Sequence, residues 1–347
     1  MFKKRDFVLD IYLIFIVCFG LFSLLSISDY YLKQQLVFVI FGFILYFLIP
    51  FFKKDTYKMF FPVFYIFIFL ALLYLLFFGH SIRGSSSWID LGPFNFQPSE
   101  ITKFIVIFIC SDVLSRQITV LKKVLLMLIY IFPLIALTFL EPDLGTTIVL
   151  VFIVGVLNFI SLMTPRTFII GLFAVLLVSG IGYNFLHSYQ KARIDTFLNP
   201  GHDPLGSGYN VIQSKIAIGS GGLFGKGFKK NTQVTLNFLP EPHTDFIFAA
   251  SSEAFGFSYS ISILLTLFSF IFWVIYKYIY KVEDPFKVFF AYGTLATFFF
   301  QIFLNIGMNL GLLPVTGLTL PLISYGGSSL LAFFTMFGFL QMFNFDS

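Results

Sequence analysis

This 347-residue sequence predicts an all-α, polytopic integral membrane protein of about ten transmembrane helices. Three observations carry the prediction. Hydrophobic residues make up 58% of the chain and charged residues only 11%, whereas an ordinary soluble domain is about 25% charged. Phe alone occurs 53 times, spread from end to end, so polar surface is too scarce to cover a globule in water. Long apolar runs also recur along the whole chain, each near the roughly 20 residues needed to cross a hydrocarbon core.

The runs fall at about 7–27, 34–52, 59–79, 98–115, 121–139, 144–163, 167–187, 246–276, 287–311 and 323–344. The first follows Lys3-Lys4-Arg5 without a clear small-x-small cleavage site, so it reads as an uncleaved span rather than a signal peptide. The 246–276 run is long enough to tilt strongly or to extend past the bilayer. Residues 1–347 read as one transmembrane domain with a large loop at 188–243 between spans seven and eight.

Charge sets the orientation. With the N-terminus inside, Lys53, Lys54, Lys58, Arg116, Lys122, Lys123, Arg166, Lys277, Lys281 and Lys287 all fall on the cytoplasmic side. The short outer loops then hold only Lys33 and Arg83, the asymmetry that the positive-inside rule expects. Ten spans return the C-terminus to the cytoplasm. The net charge of +5 comes from these clusters and forms no basic stripe with interleaved aromatics, so nucleic acid is not an expected partner. Cys18 and Cys110 lie inside apolar runs and read as small buried hydrophobes.

The cytoplasmic loops are short and basic, whereas the polar segments rich in Gly and Pro, 80–97, 140–145, 188–245 and 312–328, gather outside. Chemistry is expected there, on loops held by a rigid scaffold. The first segment contains Arg83, Trp88, Gln97, Pro98, Ser99, Glu100 and Lys103. Glu100 and Lys103 are three apart on one helix face and can pair. Ionisable groups at this depth face a bundle interior or a watery cavity, although a capping carboxylate with a snorkelling lysine fits the same spacing. Trp88 reads as an interfacial anchor.

Glu141-Pro142-Asp143 joins two spans, and Asp143 reads as a helix cap. The long loop carries Arg193, Gln213, Ser214 and the run Gly219-Ser220-Gly221-Gly222-Leu223-Phe224-Gly225-Lys226-Gly227. Residues 209–218 suit a short amphipathic helix lying on the membrane. The glycine run is not a Walker loop, since Gly227 follows Lys226 where Ser or Thr would stand. It reads either as a plain turn or as backbone N–H groups offered to a lipid-linked phosphate.

Glu241, His243 and Asp245 cluster at the outer end of the next span. Glu253 lies two turns further on nearly the same face, roughly 12 Å deeper. It reads either as a functional intramembrane carboxylate or as half of a buried pair that fixes helix packing. The last segment, Gly311 to Ser329, contains two prolines and several glycines beside Ser324, Tyr325 and Ser328. Irregular backbone near membrane depth is tolerated only where protein or a watery cavity receives it.

Together these blocks resemble the SEDS family of peptidoglycan glycosyltransferases (RodA, FtsW, SpoVE), in family order and over essentially the whole chain. The stretches Phe96–Lys103, Gln213–Gly227, Leu239–Ala249 and Gly311–Ser329 carry the resemblance. Phe197-Leu198-Asn199-Pro200 and Asn231-Thr232-Gln233 look like the RodA branch, and Leu318-Thr319-Leu320-Pro321 like the FtsW branch. The resemblance implies an inverting enzyme of the bacterial inner membrane that polymerises lipid II outside the membrane. It also implies a class B penicillin-binding protein as partner and a place in the cell-elongation machinery. It makes Asp245 the catalytic residue and Glu100 and Lys103 supporting ones. Ser87, Ser252 and Ala254 depart from the family pattern, where Arg, Gly and a second Glu are usual.

Asp245 is the expected general base, with Glu241 and His243 as further acid–base or orienting candidates. Arg83, Gln97, Ser99, Arg193, Gln213, Ser214, Lys226, Ser324, Tyr325 and Ser328 stand as substrate-binding candidates. Lys103, Arg193 and Lys226 are the candidate phosphate partners, with or without a divalent cation such as Mg or Mn; no protein metal site is expected. A precursor flippase and a structural scaffold are the rival classes.

Overall fold

A computed structural model of the chain describes residues 5–52, 54–82, 85–90, 92, 95–162, 191 and 207–345. The helices are α1 (Phe7–Ile27), α2 (Asp29–Leu48), α3 (Lys54–Phe78), α4 (Pro98–Ser115), α5 (Val120–Tyr130), α6 (Phe132–Leu140), α7 (Leu144–Leu162), α8 (Ser207–Ser220), α9 (Thr232–Thr235), α10 (Ile247–Val274), α11 (Pro285–Asn309) and α12 (Gly327–Phe345). Seven of the described helical stretches are long and apolar enough to cross a membrane. The protein is therefore all-α and polytopic. The span predicted at 167–187 lies outside the described residues.

Burial sorts the spans. α1, α2, α3 and α5 expose large apolar side chains, among them Ile40, Phe67, Phe77 and Leu121, as a lipid-facing rim does. α4 is buried at every residue except Ile101, Asp112 and Ser115, so it is a central helix with neighbours on all sides. Around it Phe104, Phe108, Phe286, Phe290, Phe339 and Phe343 form one aromatic cluster, with Phe104 and Phe339 centroids 5.0 Å apart. At that end of the bundle Asp6 caps α1 and accepts hydrogen bonds from Trp273 and Tyr278, tying α1 to the end of α10.

Three local departures from the predicted elements have physical causes. The span predicted at 121–139 is two helices, because Pro133 in the first turn of α6 has no N–H to continue α5. The predicted polar loop at 80–97 forms a three-stranded antiparallel sheet, β1 (His80–Ile82), β2 (Ser85–Asp90) and β3 (Asn95–Phe96), in the order β1-β2-β3. Pairing of Ile89 with Phe96 and Asp90 with Asn95 leads the chain into α4. The serine run has little strand preference of its own, so the pairing is a tertiary effect. The amphipathic helix predicted at 209–218 exists as α8 and packs against α10 and α11: Ala217 is fully buried and Ser214 Oγ donates to the Asn309 carbonyl of α11 at 2.7 Å.

α10 itself breaks at Gly256, where φ is 79° and ψ −174°, a conformation reserved for glycine. The freed carbonyls of Glu253 and Ala254 accept N–H groups from Lys226 and Gly227, and Phe257 N and Ser258 N donate to Gly222 and Leu223. The glycine run thus spends its backbone on α10, as the rule that buried backbone finds partners requires. A Cβ at Gly221 would stand 2.1 Å from the Ser252 carbonyl oxygen, so no other residue allows the approach. At Gly256 a Cβ would stand 2.4 Å from Gly225 N. Gly256→Ala should therefore lose at least about 1–3 kcal/mol from backbone strain alone, seen as a lower melting temperature in detergent; an unchanged melting temperature would contradict the account.

Candidate active site

Four helices begin around one polar cavity of about 280 Å³. Gln97 and Glu100 reach it from the start of α4, Asp143 to Thr146 from the start of α7, Thr244 and Asp245 from just before α10, and Gly326 to Ser329 from the start of α12. Trp88 of β2, Thr316, Gly317 and Thr319 also line it. Each helix start presents backbone N–H groups and the positive end of a macrodipole, which offset the carboxylates of Glu100, Asp143 and Asp245 on the same wall.

The backbone at Asp245 is held from two sides. Asn305 and Asn309 on α11 both donate Nδ2–H to the Asp245 carbonyl at 3.0 Å. Ser324 Oγ donates to the Thr244 carbonyl at 2.6 Å, and Tyr325 N donates to the His243 carbonyl at 2.8 Å. The half-buried Asp245 carboxylate then lines the cavity beside Gly317, whose φ of 75° and missing side chain leave room next to it. The His243 ring also lines the cavity and stacks on Tyr31 with centroids 3.6 Å apart, and its Nε2 lies 3.7 Å from Glu241 Oε2.

Glu100 and Lys103 form an ion pair of 2.6 Å, with the lysine side chain fully buried behind the glutamate. Glu100 lines the cavity and Lys103 does not. The i, i+3 pairing read from the sequence is present, inside the bundle rather than snorkelling to its rim. Asp143 does cap α7, accepting Thr146 N at 3.0 Å through Oδ1, and the cap is only half its role. Its Oδ2 lines the cavity and accepts hydrogen bonds from Gln97 at 3.0 Å and Ser99 at 2.9 Å.

Of the sequence candidates, the structure brings Gln97, Glu100, His243, Asp245, Tyr325 and Ser328 to the cavity wall. Ser99, Lys103 and Ser324 stand directly behind it as hydrogen-bond or ion-pair partners. Gln213 and Ser214 lie on α8, away from the lining. Lys226 does not face the cavity: its ammonium is 2.7 Å from Glu253 Oε1 and 2.7 Å from Thr232 Oγ. Glu253 is fully buried and also accepts Gln233 N, so it fastens the long loop to α10. That is the packing alternative for Glu253. Arg83 and Arg193 lie outside the described residues. Asn305, Asn309, Tyr31 and Gln35 were not singled out by sequence. Two asparagines one turn apart in an apolar helix were the available signal.

Among the described residues the lining holds no lysine or arginine, and His243 is the lining side chain able to carry positive charge. Among them, too, no group of three His, Cys, Asp or Glu side chains is placed to hold a metal ion.

Glu141 stands beside this site in the turn between α6 and α7. It is fully buried, and neither carboxyl oxygen has a hydrogen-bond partner. Burial, with the neighbouring Asp143 charge adding to it, pushes its carboxyl up to about 9 from the ordinary 4.5. Between those values the folded state keeps a proton that the unfolded state releases. Stability from this group is full below about pH 4.5 and is lost as pH rises through 9, by about 1.4 kcal/mol per unit for one proton. Glu141→Gln, which resembles the neutral acid, should remove this slope. The melting temperature of the variant should gain on the native protein from pH 5 to pH 8; a constant difference would sink the assignment.

Fold and site together define a polytopic helical membrane protein with a carboxylate-lined cavity where four helices begin. The FtsW/RodA/SpoVE family model, described as "Cell cycle protein", matches residues 7–346, and the chain belongs to that family. It is 40% identical over 285 residues to the peptidoglycan glycosyltransferase MrdB of Escherichia coli K12, covering 81% of this chain and 76% of the relative. It is 37% identical over 311 residues to stage V sporulation protein E of Bacillus subtilis 168, covering 87% and 84%. Among solved structures it resembles a chain of a peptidoglycan synthase complex studied for the coordination of polymerization and crosslinking, with TM-score 0.83, 32% identity and coverage of 99% and 98%. It also resembles the rod shape determining protein RodA of Thermus thermophilus, with TM-score 0.73, 28% identity and coverage of 99% and 97%.

Proposed function

We propose that this protein is a RodA-like peptidoglycan glycosyltransferase that polymerises lipid II on the outer face of the bacterial inner membrane, with both termini in the cytoplasm. The observation that carries the reading is the cavity: a carboxylate held by its backbone, at the end of a membrane bundle, facing four helix N-termini.

The reaction forms a bond from an acceptor sugar 4-hydroxyl oxygen to the anomeric carbon of the donor. The bond from that carbon to the lipid pyrophosphate breaks, and the anomeric centre inverts. Asp245 accepts the hydroxyl proton as general base, worth roughly 10²–10⁴-fold. The pyrophosphate gains its negative charge in a field of helix N-termini, with hydroxyls of Thr316, Thr319 and Ser328 on the same wall. Arg193 remains a proposed phosphate cation, Lys103 acts on the cavity only through its pair with Glu100, and Lys226 is held by Glu253. A divalent cation such as Mg or Mn, where one takes part, would supply positive charge to the leaving pyrophosphate. Holding both substrates in line supplies roughly 7–11 kcal/mol more.

A class B penicillin-binding protein is the proposed crosslinking partner, and cell elongation the proposed setting. The structural likeness to a chain from a peptidoglycan synthase complex supports the partner. The test is purified protein in liposomes with lipid II, with and without that partner. Glycan strands are expected. Transbilayer movement of lipid II without polymer would support a flippase instead.

A further inference from the structure

A second concavity lies on the far side of α2. It is an apolar groove of about 550 Å³ lined by Phe15, Cys18, Phe22 and Leu25 of α1, Leu32 and Leu36 of α2 and neighbouring side chains including Tyr259 of α10. Its volume lies in the range of small-molecule sites, roughly 300–1,000 Å³. Among the described residues none lines both this groove and the polar cavity. α2 divides them: Tyr31, Gln35 and Phe38 face the cavity side, and Leu32 and Leu36 the groove.

Depth and charge identify the occupant. From Phe15 to Leu25 along α1 is about 15 Å at 1.5 Å per residue. That is half of a hydrocarbon core about 30 Å thick, hence one leaflet. The groove runs to the end of α1 that lies beside the cavity. There a later segment meets both helices: the Phe228 ring sits 6.4 Å from that of Phe22 on α1, and Lys229 Nζ reaches Asp29 of α2 at 3.0 and 3.1 Å. Lys33, one turn along α2, and Lys230 are exposed beside this pair. Three lysines against one aspartate leave two positive charges at the level where lipid headgroups lie.

We propose that the groove binds an anionic glycerophospholipid of the leaflet on the cavity side, one acyl chain along α1 and α2 and its phosphate against Lys33, Lys229 and Lys230. The bound lipid ties the 228–230 segment to α2, the helix that carries Tyr31 to His243 and Gln35 to Ser324. Lipid composition would thereby act on the cavity wall without entering the cavity. The proposal rests on the chain lying in a membrane and not on the reaction proposed above.

Native mass spectrometry of the full-length protein in detergent tests it, with phosphatidylglycerol and phosphatidylcholine of equal chain length as probes. Phosphatidylglycerol should be retained over phosphatidylcholine, and Lys33→Glu with Lys230→Glu should cost at least about five-fold for each lysine lost. Leu36→Trp, which fills the groove, should reduce retention of both lipids with the lysines intact. Melting temperatures confirm that the variants fold, and the exposed lysine pair gives a readout even where Leu36→Trp does not fold. Equal retention of the two lipids, or no effect of the lysine substitutions, overturns the proposal. Displacement of phosphatidylglycerol by equimolar polyprenyl phosphate also overturns it, since the groove would then belong to the substrate's lipid class.

Discussion

Asp245→Asn should lower lipid II polymerisation by about 10²–10⁴-fold while the purified protein keeps its melting temperature. Asparagine has the shape of aspartate and cannot take the acceptor proton. The contacts that hold this position are made by the backbone carbonyl, through Asn305 and Asn309, so the substitution leaves them in place. Ser324 and Tyr325 hold the two preceding carbonyls in the same way. Lipid II binding should survive, because the helix N-termini and wall hydroxyls are untouched. A folded variant that polymerises within ten-fold of the native rate would remove Asp245 as base. Loss of binding together with rate would make it a substrate-holding group instead.

Lys103→Met should destabilise the protein by about 3–5 kcal/mol, the usual result of removing one partner from a buried ion pair. Lys103 is fully buried and Glu100 nearly so, and their charged atoms are 2.6 Å apart. Without the lysine, a nearly buried carboxylate is left uncompensated at the cavity wall. The double substitution Lys103→Met with Glu100→Gln should recover much of the melting temperature, since no buried charge remains. Polymerisation separates the two roles of the pair. Activity restored together with stability would make the pair structural. Activity still absent in a stable double variant would place it in the chemistry, as cation and orienting carboxylate for the pyrophosphate. A single variant as stable as the native protein would contradict the buried pairing itself.

The departures from the family pattern now have neighbours. Ser87 is buried and donates to the Glu141 carbonyl at 3.4 Å, so a small residue sits where β2 meets the α6–α7 turn. Ser252 bonds Ser260 at 2.7 Å across the break at Gly256. Ala254 is fully buried, and its carbonyl accepts Gly227 N from the glycine run.

Much of the fold was written in local pattern. Spans follow from apolar run length alone, because a bilayer demands about 20 apolar residues whatever the tertiary arrangement. The Glu100–Lys103 pair was legible because helix geometry puts residues three apart on one face. Asp245 and His243 stood out because ionisable groups are rare beside a span. Other roles were not legible. Lys226 reads as a candidate phosphate partner, the glycine run as a plain turn or a phosphate cradle, and Asp143 as a cap. Their partners are 27 and 46 residues away in sequence, at Glu253 and Gln97.

The sequence by itself determined that the chain is a helical bundle in a membrane, where its polar segments lie, and which carboxylate heads the longest span. The tertiary structure alone decided which of those polar groups share a cavity. A membrane helix satisfies its own backbone, so its existence is a local matter. The partners of a buried side chain, and the helix starts that converge on one point, depend on packing between distant segments.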